Sequence, residues 1–257
     1  VPDTPARQDA TPALRIADLR FRYPGARPTD PWVIDIAALE LAPAEQVLLT
    51  GGSGRGKSTL LHLIAGVIDL LPPNAGRVEV AGRSIHALRG PARDAFRARH
   101  IGMIFQTFNL LHGFSALENV MAALMFSDIP AREHRARAAD LLASLGIERT
   151  DAAPERLSVG QQQRVAVARA LACSPELVLA DEPTASLDPE NAAVAMDLIQ
   201  NACRTRGAAL LCVSHDPAMA ERFPRRARLD ELHAAHLRAA APGLAAHGPA
   251  GGGGAWR

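Results

Sequence analysis

The stretch TGGSGRGKSTL, residues 50–60, constrains this chain more than any other. Gly51, four residues, then Gly56, Lys57 and Ser58 make the pattern G-x-x-x-x-G-K-S. Upstream, Gln46 to Leu49 is a short apolar run that suits a buried strand. Downstream, Leu60 to Gly66 suits a mostly buried helix. A strand that breaks into a glycine-rich turn and restarts as a helix aims several backbone N–H groups into one hollow. The helix start adds about half a positive charge, so the hollow attracts anionic oxygen. The chain has 28 Lys and Arg side chains, and Lys57 is the only lysine among them. A slim ammonium can lie along adjacent phosphate oxygens where a wide planar guanidinium cannot. The candidate phosphate-binding residues are therefore Gly51, Gly52, Ser53, Gly54, Arg55, Gly56, Lys57, Ser58 and Thr59.

A second constellation lies far downstream. Leu177-Val178-Leu179-Ala180 is an apolar strand that delivers Asp181 and Glu182 at its C-terminal end. Ligands of open α/β sheets bind at such ends. By itself the pair reads equally well as a solvated acidic turn. Beside a phosphate loop, Asp181 reads as a Mg²⁺ ligand with Ser58. Glu182 then reads as the general base that polarises a water.

Composition sets the limits around these motifs. The 257 residues are 48% hydrophobic and 21% charged, with net charge +1, a balance that fits a soluble globular chain. Near-neutral charge gives no support to a surface that coats nucleic acid. Cys173, Cys203 and Cys212 are odd in number and fit no metal spacing, so they read as buried thiols of a reducing compartment. No apolar run reaches the roughly 20 residues that span a bilayer, and the polar, Pro-rich start has no signal-peptide core. Residues 1–12 are expected to be disordered, 13–233 to form one domain, and 234–257 to be a flexible Ala/Gly-rich tail.

Within the domain, alternating segments at 14–16, 19–23, 33–36 and 39–41 predict a small β region. Strands are expected at 77–80, 101–105, 177–180 and 208–213, with helices at 161–173 and 189–206. Pro130 is expected to open a helix that Gly146 closes. Alternating strands and helices argue for a parallel α/β core. The helical stretch at about 107–160 interrupts it as an inserted subdomain.

Leu157-Ser158-Val159-Gly160-Gln161 is similar to L-S-G-G-Q, the signature of ATP-binding-cassette (ABC) ATPases. Other features resemble that family in the same order. Tyr23 resembles its adenine-stacking aromatic, Gln106 in IGMIFQ its Q-loop glutamine, Ala185-Ser186-Leu187-Asp188 its D-loop and His215 in LLCVSHDP its switch histidine. The resemblance covers about residues 14–232. Val159 stands where the signature has glycine, and Ala44 where Pro-Gly-Glu usually has glycine. Bland alternatives stay open for single positions. Tyr23 fits a core ring, Gln106 a strand-end cap, Ser158 and Asp188 helix N-caps, and His215 a satisfied buried histidine.

The resemblance implies a P-loop NTPase fold with an N-terminal antiparallel β region and the helical insertion. It implies ATP and Mg²⁺ as cofactors, with Gln106 joining Ser58 and Asp181 at the metal. It implies that Ser158, Gly160, Gln161 and Asp188 contact ATP held by a second copy of the chain. The runs LSVGQQQRVAVARAL and LADEPTASLD most resemble the lipoprotein-releasing and macrolide-efflux (LolD- and MacB-like) subfamily. That implies a separate integral membrane permease of FtsX/MacB-like type and a place on the cytoplasmic face of a bacterial-type inner membrane. DNA-repair relatives would need a long coiled coil, and translation-factor relatives two cassettes; neither is present. A degenerate or soluble ABC ATPase, acting as a switch outside transport, is the alternative.

Overall fold

The computed structural model describes residues 11–52 and 54–233. The expectations for the N-terminal segment before residue 11, for the tail from 234 and for Ser53 lie outside the described residues. Two sheets organise the chain. The first is antiparallel, ordered β2-β1-β4-β5, from β1 (Leu14–Phe21), β2 (Ile34–Leu41), β4 (Ala75–Val80) and β5 (Arg83–Ser84). The second is parallel, ordered β6-β7-β8-β3-β9, from β3 (Gln46–Thr50), β6 (Ile101–Ile104), β7 (Leu177–Asp181), β8 (Ala209–Val213) and β9 (Arg225–Arg228). This is the expected fold class.

The parallel sheet is covered on both faces, and strand periodicity decides which residue goes where. Val47 and Leu49 of β3 join Leu177, Leu179, Leu211 and Val213 on one face. They pack against the antiparallel sheet and α1 (Lys57–Ile64). Leu48 joins Val178, Ala180, Leu210 and Cys212 on the other face. They pack against α5 (Val159–Leu171), α6 (Pro189–Arg206) and the helices α3 (Ala116–Leu124) and α4 (Ala131–Ser144). α5 presses closely on β6, where a methyl on Gly102 would meet the Ala170 carbonyl oxygen at 2.3 Å. Only glycine fits this crossing.

The helical stretch is tied together by caps and one buried amide. Ser115 and Glu118 form a reciprocal capping box at the start of α3. Buried Asn119 accepts from Leu111 N at 2.7 Å and donates to the Leu111, Phe114 and Ser115 carbonyls. Pro130 precedes α4, and Gly146 follows its end in the left-handed region, as expected. Several elements escaped the sequence reading, the two-residue β5 among them. α2 (Gly90–His100) buries only Phe96, so it lacks an apolar stripe. β9 is an arginine-rich edge strand paired on one side only, with β3.

Cys203 and Cys212 are buried as expected, and burial pushes the Cys203 thiol up to about 12 and that of Cys212 higher still. Cys173 is only half-buried and lies two residues past the end of α5.

Ala44 has φ 59°, inside the left-handed region that an L-side chain enters at a cost of about 1–2 kcal/mol. That is the physical reason for the glycine common at this turn. We expect Ala44→Gly to raise stability by roughly 0.5–1 kcal/mol, the relieved strain exceeding the added freedom of the unfolded chain. Urea titration would measure it.

Candidate functional site

Four strands end on one side of the parallel sheet, and each delivers part of one cleft. The cleft is about 510 Å³ and is lined by Tyr23, Val33, Gly54, Gly56, Lys57, Ser58, Thr59, Gln106, Asp181, Glu182 and His215. β3 runs into the glycine-rich turn, β6 ends two residues before Gln106, β7 ends on Asp181, and β8 ends two residues before His215. Parallel pairing puts β8 between β7 and β3, so His215 emerges between the carboxylates and the loop.

Lys57 opens α1 and is almost fully buried. Its ammonium donates to the Gly51 and Gly52 carbonyls at 2.9 and 3.0 Å, which draws the loop around its own lysine. Gly56 precedes it at φ 95°, and a methyl there would meet the Val33 carbonyl oxygen at 2.9 Å. The loop thus nests against the start of β2. Ser58 is exposed at the helix start and Arg55 on the loop. No acidic residue occupies the first turn of α1.

Asp181 and Glu182 differ sharply in surroundings. Asp181 Oδ1 is buried with no hydrogen-bond partner. A buried, unpartnered carboxylate oxygen is costly, and its place beside Ser58 and Gln106 suits a hard cation with oxygen ligands. Glu182 has φ 47°, a strained backbone for a non-glycine residue, held by its N–H to the Val213 carbonyl at 3.0 Å. Its Oε1 lies 2.8 Å from His215 Nδ1, and the His215 N–H donates to Oε2 at 3.4 Å. His215 is therefore an exposed ring oriented by Glu182, not a buried packing histidine.

Tyr23 is 47% exposed at the mouth of the cleft. The hydroxyl bonds Thr59 Oγ1 at 2.7 Å, and the ring meets Phe21 in an edge-to-face pair with centroids 5.0 Å apart. These contacts fix a half-exposed ring beside the loop, and its exposure removes the core-ring alternative. Val33 is a lining residue that the sequence did not reveal, since nothing local marks a strand flank as part of a site.

Ser158, Gly160 and Asp188 do not join this cleft. They line a second one of about 460 Å³, with Val159, Gln163, Arg164, Ser186, Leu187 and Asn191. Ser158 caps α5: its Oγ accepts from Gln161 N at 3.3 Å, while Gln161 Oε1 accepts from Ser158 N at 3.0 Å. The helix therefore starts at Val159, two residues before the expected point, and Gln161 is engaged in the cap. Gly160 has open space around it. Asp188 caps α6 through Asn191, and the Asn191 side-chain and backbone donors hold its carboxyl below the usual range. Two helix N-termini, both directed at solvent, thus flank the second cleft.

A glycine-rich loop on a parallel sheet, an acidic strand end and a switch-like histidine define a P-loop nucleotide hydrolase. The comparisons place it more closely. The model of the "ABC transporter" family matches residues 34–185. A lipoprotein-releasing system ATP-binding protein LolD of Chromohalobacter salexigens is 40% identical over 89% of this chain and 95% of its own length. LolD of Maricaulis maris is 44% identical over 74% of this chain and 82% of its own length. A solved dimer of the ATP-binding cassette MJ0796, in a post-hydrolysis state bound to ADP and Pi, superposes with a TM-score of 0.71 at 31% identity, over 84% of this chain and 93% of that one. The chain belongs to the ABC transporter family, and it is a cassette that binds and hydrolyses ATP.

The Tyr23 ring and its hydroxyl can be separated experimentally. Tyr23→Phe removes the bond to Thr59 and is expected to cost about 1 kcal/mol in thermal unfolding. It should leave affinity for a non-hydrolysable ATP analogue within about twofold, because the π face survives. Tyr23→Ala should lose affinity by about tenfold in the same fluorescence titration.

Proposed function

We propose that this chain is the ATP-driven subunit of a bacterial lipoprotein-releasing transporter. It works as a head-to-tail pair around two nucleotides and drives a separate membrane permease. The observation that carries the reading is that the two halves of an ATP site sit on different clefts of one chain. The phosphate loop, Asp181 and Glu182 line one, and Ser158, Gly160 and Asp188 line the other. A second copy turned by a two-fold axis supplies each missing half. Exposed Val159 and Val194 at the second cleft are apolar surfaces that such a pair would cover. The dimeric MJ0796 cassettes support this, one bound to ADP and Pi and one described as a bacterial ABC transporter cassette.

Gly51, Gly52, Ser53, Gly54, Arg55, Gly56, Lys57, Ser58 and Thr59 would hold the triphosphate, with Tyr23 against the adenine. Ser58, Gln106 and Asp181 would hold Mg²⁺, which when bound neutralises charge on the phosphate oxygens. Glu182 takes the proton of the attacking water. His215, held by Glu182, faces the γ-phosphate. Ser158 and Gly160 of the second copy close on that phosphate, with Gln161 keeping the cap in shape and Asp188 lying across the pair. Loss of the γ-phosphate removes a contact made only in the closed form, so the pair reopens.

Among the described residues no helix is long and apolar enough to cross a membrane. Attachment to the inner-membrane face then falls to the permease, which we take to be of FtsX/MacB-like type. A groove of about 420 Å³ beside Gln106, lined by Met103, Phe105, Ala123 and Phe126, is suited to one of its cytoplasmic helices. Phe126 stands exposed there, as does its chain neighbour Met125. The LolD relatives support lipoprotein as cargo.

Two variants test the pair. Glu182→Gln should lower ATP turnover by about 100-fold or more while leaving ATP bound. With ATP it should run as a dimer on size exclusion. Ser158→Asp keeps an N-cap and should unfold within about 0.5 kcal/mol of the parent. Placed in the Glu182→Gln protein, its carboxylate should abolish the ATP-dependent dimer. A dimer that survives Ser158→Asp would sink the head-to-tail reading.

A further inference from the structure

Arg169 lies near the C-terminal end of α5, far from the cap formed by Ser158. Its guanidinium is half-buried and has no carboxylate partner among the described residues. It donates instead to two consecutive backbone carbonyls, Phe108 at 2.6 Å and Asn109 at 2.5 Å. Burial lowers its pKa from the ordinary arginine value. A cation taken out of water without a counter-charge needs these two acceptors.

The two carbonyls belong to an unusual turn. Phe108 and Asn109 both have positive φ, 58° and 47°, and for a bulky Phe this is a marked outlier. Such backbone persists only where its surroundings over-determine it. Local bonds contribute: Asn109 N–H to the Thr107 carbonyl at 2.6 Å, and Thr107 Oγ1 to Asn109 Oδ1 at 2.8 Å. Arg169 is the grip from outside the turn, and Gln106 immediately precedes the turn. The same helix is fastened to the end of α4 by Arg164, which donates to the Leu145 carbonyl at 2.7 Å. From Val159 to Arg169 the helix runs about 15 Å. One rigid rod therefore carries the signature residues at one end and holds the turn after Gln106 at the other.

We propose that Arg169 is a positioning residue that ties Gln106 to the signature helix. When Ser158 and Gly160 close on a partner's nucleotide, α5 carries the 106–109 turn with it. Gln106, which lines the phosphate cleft, is held there by the turn that Arg169 grips. The inference rests on the role proposed for Gln106 above.

The test is a double-variant cycle on steady-state ATP hydrolysis by the full-length protein. Arg169→Lys keeps the charge and stem but cannot fork to two carbonyls. It is expected to lower kcat about tenfold, as misplacement of a catalytic group does, with KM for ATP changed by less than about twofold. Gln106→Ala alone should also lower kcat. If Arg169 acts through Gln106, the double variant is no slower than the slower single variant. Losses that multiply, or an Arg169→Lys protein with unchanged kcat, would overturn the inference and leave Arg169 as a packing residue. Unchanged kcat in Gln106→Ala alone locates the fault in the reading of Gln106, and the linkage falls with it. If Arg169→Lys does not fold by circular dichroism, Asn109→Gly replaces it, since it frees the turn while keeping Arg169. The same fall in kcat and the same non-additivity with Gln106→Ala are expected, and independent losses overturn the proposal.

Discussion

Burial of β3 on both faces is the constraint from which the site follows. Val47 and Leu49 face one hydrophobic layer and Leu48 the other, and β8 and β9 take its backbone hydrogen bonds on either side. A one-residue slip would turn every one of these side chains to the wrong layer. The strand end is therefore a fixed point, and the loop that leaves it starts from a fixed place and direction. β7 and β8 are locked by the same alternation, so Asp181, Glu182 and His215 arrive in register with Lys57. Strain collects where the chain leaves the sheet, as at Glu182, whose left-handed backbone is clamped by Val213.

The polar groups are divided by place. Those of the first cleft lie where the central strands end and where α1 begins. Those of the second sit at the N-termini of α5 and α6, on the opposite face of that sheet. α5 makes fixed contacts with several elements. It crosses β6 at Gly102, caps itself at Ser158, holds α4 through Arg164 and the Q-loop turn through Arg169. A helix with so many fixed contacts transmits a displacement more readily than it absorbs one, because packed interiors resist continuous deformation.

Much of this was legible in the sequence because the informative residues are local. The G-x-x-x-x-G-K-S loop, the apolar run before Asp181 and the proline that opens α6 each carry their meaning within ten residues, and α6 lies where it was expected. The signature stretch was legible as a chemical motif, yet spacing alone does not separate a helix cap, which the structure shows at Ser158, from the anion site proposed for it. What stayed hidden depends on distant partners. α2 has one buried residue, so its periodicity carries no signal. β9 is four residues with three arginines, recognisable as a strand only because β3 offers it an edge. Arg169 looks like one more arginine in an arginine-rich chain until the two carbonyls sixty residues upstream come into view.

The lone lysine has a practical corollary. The other 27 of the 28 Lys and Arg side chains are arginine, so the sequence holds a single ε-amino group, and the fold tucks it among the glycine carbonyls of the nucleotide loop. A reagent that acylates side-chain amines has one address on this protein. The extent of labelling at that address becomes a direct gauge of how often the loop lets go of its ammonium.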